Sequence, residues 1–209
     1  MDTVLPIENF VFDGLVLRAI QVFGCPAIIT PANDKQAALQ RMFNGRDIVY
    51  PYMFLVPTTL SHNTDSYNPN RLVRKGLMVS VNENQGQAVR VLPTNFDFEV
   101  EFVTNKFLGG QGSVMGFQKR WLFARRAGWL KFNVDYGRLQ FPISLTLSEQ
   151  VQTPQGENKV EAESKYLVTS TLTVHGYTSE EMLATQGVVT TVEMHMAVAG
   201  VGAQFFPFN

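Results

Sequence analysis

The chain has 209 residues, 45% hydrophobic and only 17% charged, against about 25% charged in an average globular protein, and 16 of them are Phe. That apolar content supplies a core and excludes wholesale disorder, while few charges and many Phe point to surface that neighbouring subunits cover. Seventeen basic against 18 acidic residues give a net charge of −1, which argues against a dedicated nucleic-acid binder, and the one Cys, Cys25, excludes an intrachain disulfide framework and a Cys-rich zinc site.

Residues 1–12 carry Pro6 and alternate poorly, which predicts an arm or a short edge strand. Asp13 then offers an N-cap to a short helix through Leu15, Leu17, Ala19, Ile20 and Phe23, stopped by Gly24 and Pro26. Asn33 can cap a second helix through Ala37, Leu39 and Met42, ended by Gly45. Residues 50–59 read as a strand that Pro51 and Pro57 confine to an edge or a bulge. Residues 61–75 are polar and turn-rich, too long for a tight turn, and loops of that length are often functional.

Two β segments follow, residues 86–92 and 95–105, with Pro93 marking a turn between them. In the second, Phe96, Phe98, Val100 and Phe102 share one face and Asp97, Glu99 and Glu101 the other. Gly109, Gly110 and Gly112 break the chain before a helix over 113–127. Ser113 is its N-cap, and Val114, Phe117, Trp121 and Ala124 form its apolar stripe, which Leu122 widens. Lys119, Arg120, Arg125 and Arg126 occupy the opposite face, and Gly128 ends the helix.

Residues 129–135 and 139–148 read as a hairpin turning at Tyr136-Gly137. After a turn region at 152–158, residues 159–178 form a long alternating strand. Val160, Ala162, Tyr166, Val168, Leu172 and Val174 lie on one face and Thr169, Thr171 and Thr173 on the other. A break at 179–187, a last strand at 188–198 and an aromatic tail, Phe205-Phe206-Pro207-Phe208-Asn209, complete the chain. The order predicts one α+β domain. No apolar run approaches the roughly 18 residues of a membrane span. The start, Met1-Asp2-Thr3, lacks the basic residues of a signal peptide, so the expectation is a soluble protein folded in a cytoplasm.

Catalytic patterns are weak. His62, His175 and His195 form no zincin pair, and the sequence has no Walker loop and no G-x-S-x-G elbow. Gly109-Gly110-Gln111-Gly112 matches no phosphate-binding fingerprint and reads as a flexible connection into the helix. Asp97, Glu99 and Glu101 would suit a divalent cation, or more simply a solvated or channel-lining strand face. Cys25 with a His would be a nucleophilic pair, but its apolar surroundings favour a buried side chain. The basic helix face offers contact to phosphate or to an acidic neighbour, against the plainer reading of a solvated face. Acids are almost absent between Lys106 and Arg138 and frequent over 149–181, a segregation suited to head-to-tail contact between identical subunits.

From Tyr50 to Thr178 the order of features resembles the tail sheath stabiliser (tail completion) proteins of contractile-tailed bacteriophages, within the wider tail-terminator group. The resemblance rests on a Pro-bearing strand (48–59) leading into Tyr67-Asn68-Pro69 with Arg71, Leu72 and Val73. It continues through the strand Phe96-Asp97-Phe98-Glu99-Val100-Glu101, a Gly-bearing loop before a helix ending near Trp129, Gln140-Phe141-Pro142-Ile143, and a long closing strand over 161–177. It covers about three-fifths of the chain as pattern rather than identity. It implies a subunit with a mixed, mainly antiparallel sheet flanked by helices, assembled as a hexameric ring at the head-proximal end of the tail. Such a ring ends tube and sheath polymerisation and joins the tail to the neck.

The implied partners are further copies of the chain and the tail tube, sheath and neck or connector proteins, with DNA only as passing cargo. No cofactor, catalysis or membrane is implied. The implied location is the virion tail, assembled in the host cytoplasm. On this reading residues 1–12 are an arm, 13–178 the domain and 179–209 a strand and contact tail. Lys119, Arg120, Arg125, Arg126, Tyr67, Asn68, Arg71, Phe205, Phe206 and Phe208 are candidate subunit or neck contacts, and Asp97, Glu99 and Glu101 candidate channel-lining residues. The rival readings are another neck or baseplate component and a small metal-dependent hydrolase built on the acidic strand.

Overall fold

The computed structural model describes residues 5–62, 77–82, 87–127, 131–152 and 165–180. Tyr67, Asn68, Arg71, the last predicted strand and the aromatic tail lie outside the described residues. The elements run α1 (Ile7–Phe23), β1 (Ala27–Ile29), α2 (Lys35–Phe43), β2 (Tyr52–His62), β3 (Leu77–Asn82), β4 (Gln87–Thr104), α3 (Val114–Ala127), β5 (Phe132–Tyr136), β6 (Leu139–Leu147) and β7 (Tyr166–Glu180). The fold is α+β. Its sheet is ordered β1-β2-β4-β7-β6-β5, with β3 added to β4 beyond the end of β2, and only the β1–β2 pair is parallel.

The first helix begins six residues before the expected Asp13. Pro6 occupies its N-cap position, a place where a missing N–H costs nothing because the first turn has no intrahelical acceptor. The buried stripe is Ile7, Val11, Leu15, Ala19 and Phe23, so Asp13 is an exposed mid-helix residue and Leu17 and Ile20 point outward. Glu8 accepts hydrogen bonds from the Ser179 backbone N–H and hydroxyl, both 3.0 Å, tying the helix start to β7. Gly24 closes the helix in the left-handed conformation (φ +65°), as its sequence position suggests. The second helix starts after Asp34 rather than Asn33, and Asn44 takes the left-handed C-cap position.

Pro93 does not mark a turn. β4 is one continuous strand of 18 residues, and Pro93 pairs with Tyr177 of β7. On its other side the neighbour changes there from β3, which reaches Val91, to β2, which starts at Thr94. A Pro inside a central strand is thus placed at the one step where that ladder changes partner. Pro57 is explained as expected. Met53 donates to Pro26 O and Leu55 accepts from Thr30, so alternate β2 residues face β1. Pro57 continues that alternation just past the end of β1, where no N–H is required, and a register shift follows at Thr59.

The β5–β6 hairpin turns through Gly137 (φ +60°) and Arg138, and β7 pairs with β4 along its whole length. Strand β3 lies where no strand is expected from the sequence pattern. α1 packs against β1, β5 and β7, so both ends of the sheet curl toward one helix. The main core lies between that sheet face and α1 and α3. Phe102 stacks on Phe117 at 4.4 Å between ring centroids, and Phe23 lies beside Phe117 and Trp121. α2 sits on the opposite sheet face, where Ala38 packs over Tyr52, Phe54 and Val56.

Candidate functional site

On the sheet face opposite α1 and α3, α2 covers an apolar patch over β2, and the part along β4 and β7 beside it is polar. Period-two alternation places Asn95, Asp97, Glu99 and Glu101 of β4 there, and the antiparallel register sets them against His175, Thr173, Thr171 and Thr169 of β7. Thr59 of β2 also pairs with Asp97, and Thr146 of β6 with Thr173. The Asp97 carboxylate accepts from the Thr59 and Thr173 hydroxyls, each at 2.6 Å. His175 lies 2.8 Å from Asn95 Oδ1 through Nδ1 and 2.8 Å from the Thr146 hydroxyl through Nε2. With the Asn95 oxygen accepting, Nδ1 is the donor, and the Thr146 hydroxyl can serve Nε2 in either sense.

The three carboxylates are not equivalent. Asp97 and Glu99 are half-buried on the open part of this face. Glu101 is only 9% exposed and its carboxylate lies 2.6 Å from Lys35 Nζ on α2. Glu101 therefore anchors α2 to the sheet and stands apart from the open part. Successive carboxylates are also about 7 Å apart along a strand, and two of the three are committed to protein donors. Among the described residues no group of three His, Cys, Asp or Glu side chains is placed to hold a metal ion.

The glycine loop forms a defined turn into α3. Gly109 and Gly110 have φ of +96° and +92°. Ser113 caps α3 through its hydroxyl to Gly116 N–H at 3.1 Å, as its sequence position implies. Val114 N–H donates to Lys106 O at 3.0 Å and Met115 N–H to Phe107 O at 3.3 Å. The first amides of α3 are thus already used.

The basic face of α3 divides. The Arg120 guanidinium donates to Phe23 O, closing the last turn of α1, and to Gln111 Oε1. Arg125 pairs with Glu149. Lys119 and Arg126 are exposed, with no ion-pair partner among the described residues. Beside them Met115, Leu122 and Phe123 are exposed, Phe123 by 61%. Leu122 thus widens an outer apolar stripe and leaves the core stripe to Val114, Phe117, Trp121 and Ala124. The spacing from Met115 (i, i+7, i+8) carried that signal, hidden by the charges between.

Cys25 is buried among the core residues on the α1 side, whereas His175 is engaged on the opposite sheet face, so the two form no nucleophilic pair. Burial pushes the Cys25 thiol up to about 12, only partly offset by the Arg120 charge, and burial first among its causes pushes the Tyr52 phenol up to about 12. Both groups hold their protons more tightly folded than unfolded. The fold accordingly loses stability as pH rises from about 9 toward 12. Alkylation of Cys25 by iodoacetamide at pH 8 should be negligible in the native chain and rapid in denaturant. Fast native labelling would contradict its burial.

No family model matches the chain, and no curated protein does. No described helix is long and apolar enough to cross a membrane.

Proposed function

We propose that the chain is a structural subunit of a contractile phage tail. Copies of it close into a hexameric ring at the head-proximal end, terminate the tube and sheath, and seat the tail on the neck proteins, with DNA passing through the hole. The observation that carries this reading is the polar face of β4 and β7. Asp97 and Glu99 lie there among hydroxyl groups that hydrogen-bond within the sheet, while the apolar side of the same strands is covered by α1 and α3. The carboxylates and hydroxyls of this face repel a passing polyanion, and the cation beside them, Lys35, is paired with Glu101. Glu101, beneath Lys35, has a supporting role and does not line the hole.

Native mass spectrometry of the purified chain tests the ring: a closed species of six subunits is expected, and a monomer at all concentrations would defeat the proposal. A second test addresses the face. The double variant Asp97→Asn, Glu99→Gln should keep the ring mass while retaining duplex DNA at low ionic strength that the wild type releases. Loss of the ring in this variant would place the two acids in a subunit contact.

A further inference from the structure

The chain blunts both ends of its sheet. β1 has three residues between Pro26 and Pro31, and the open side of β2 beyond it begins at Pro57. At the other end, β5 presents the exposed Asn133 and Asp135, with the exposed Lys131 just before it. Strand addition is disfavoured at these two ends, which leaves side-chain surfaces beside them as the places to look for a partner.

Two such surfaces are complementary. The first is the outer face of α3, where Met115, Lys119, Leu122, Phe123 and Arg126 follow one another at helical spacing. Leu122 is 51% and Phe123 61% exposed, and Lys119 and Arg126 flank them. The second is a groove of about 520 Å³ between α1 and β1, lined by Phe12, Asp13, Val16, Leu17, Ile28 and Ile29. That volume suits a cluster of side chains. Its walls are apolar apart from Asp13, which is exposed with no ion-pair partner among the described residues.

We infer that a second copy of this chain binds here head to tail, with Leu122 and Phe123 of one copy entering the α1–β1 groove of the next and Lys119 and Arg126 facing its Asp13. The occupant is chosen by charge as well as shape. The knob carries two exposed cations and no acid, and the groove carries one exposed acid. Neither patch is self-complementary, so the contact is heterologous and propagates from copy to copy until the rotation closes. The inference rests on the ring reading above and supplies its subunit contact. Burying Phe123 and Leu122 provides the apolar centre of the interface, and the ion pairs at its rim set the register.

The test uses two full-length variants, Phe123→Asp and Leu17→Asp. Both sites are 61% exposed, so the isolated fold should be retained, as circular dichroism would verify. Each variant alone should lose self-association by roughly 30-fold or more. Mixed, they should form one heterodimer and nothing larger, because the first supplies an intact groove, the second an intact knob, and only one junction can form. A charge exchange provides an independent readout: Asp13→Lys should weaken assembly, and adding Lys119→Glu and Arg126→Glu to the same chain should restore it. If both single variants assemble like the wild type, or their mixture stays monomeric or rebuilds the full assembly, the contact is wrong while the ring reading stands. If the wild type itself never assembles, the ring reading falls first.

Discussion

Replacing Trp121 with Ala should cost about 3–5 kcal/mol, the largest effect of any single substitution considered. The indole is fully buried and lies against Phe23 of α1 and Phe117 of α3, with ring centroids 5.7 and 5.6 Å away. Its Nε1–H donates to Ser148 O at 2.9 Å, just past the end of β6. Truncation therefore opens a cavity where α1, α3 and the sheet meet, and leaves a half-buried carbonyl without its donor. For a chain of this size the melting temperature should fall by roughly 6–20 °C. Trp121→Phe keeps most of the volume and loses only the N–H, so its cost should be clearly smaller. A Trp121→Ala chain within 1 kcal/mol of wild type in urea would mean that this cluster does not hold the three elements together.

Gly116→Ala should reverse the usual sign of that exchange. In an exposed helix interior Ala stabilises by about 1 kcal/mol relative to Gly. Here a Cβ would stand 2.3 Å from Gly110 O and 2.8 Å from Gln111 O, both backbone atoms of the turn that precedes α3. Neither can move freely. Gly110 has φ of +92° and its carbonyl accepts the Ser113 hydroxyl at 2.8 Å. Thr104, fully buried, donates to Gly112 O at 2.6 Å and fixes the other end of the turn. Relief requires the first turn of α3 to lift away, weakening the Val114 and Met115 bonds to residues 106 and 107. We expect a net destabilisation of about 1–3 kcal/mol, measured as a shift of the urea midpoint at unchanged slope. A stabilised variant would show that the glycine turn yields readily.

Much of this architecture is legible in the sequence where one physical rule dominates. The alternation from Phe96 to Phe102 gives the buried face of β4 and its polar partner face. Ser113 gives the start of α3, and Gly137 the hairpin turn. Proline misleads where tertiary placement neutralises its cost. Pro6 reads as part of an arm but opens a helix, and Pro93 reads as a turn but sits where β4 changes neighbour. The acidic strand illustrates a different limit. Spacing places Asp97, Glu99 and Glu101 on one face, yet only the position of α2 separates Glu101, under Lys35, from the other two. Likewise, four basic residues read as one helix face. Two of them are spent within the chain, and the apolar residues between the other two form the more distinctive surface.

The apolar surplus and low charge that stand out in the composition are thereby divided between a core around Trp121 and outer surfaces on α1 and α3. The central claim is that copies of the chain form a ring whose hole is lined by the polar face of β4 and β7. A cryo-electron microscopy map of the purified assembly tests it most directly. A closed ring is expected, with Asp97, Glu99, Thr171 and Thr173 facing the central hole and α3 against the α1–β1 groove of the adjacent copy. A ring with those four residues buried between subunits, or a particle with no central hole, would contradict it.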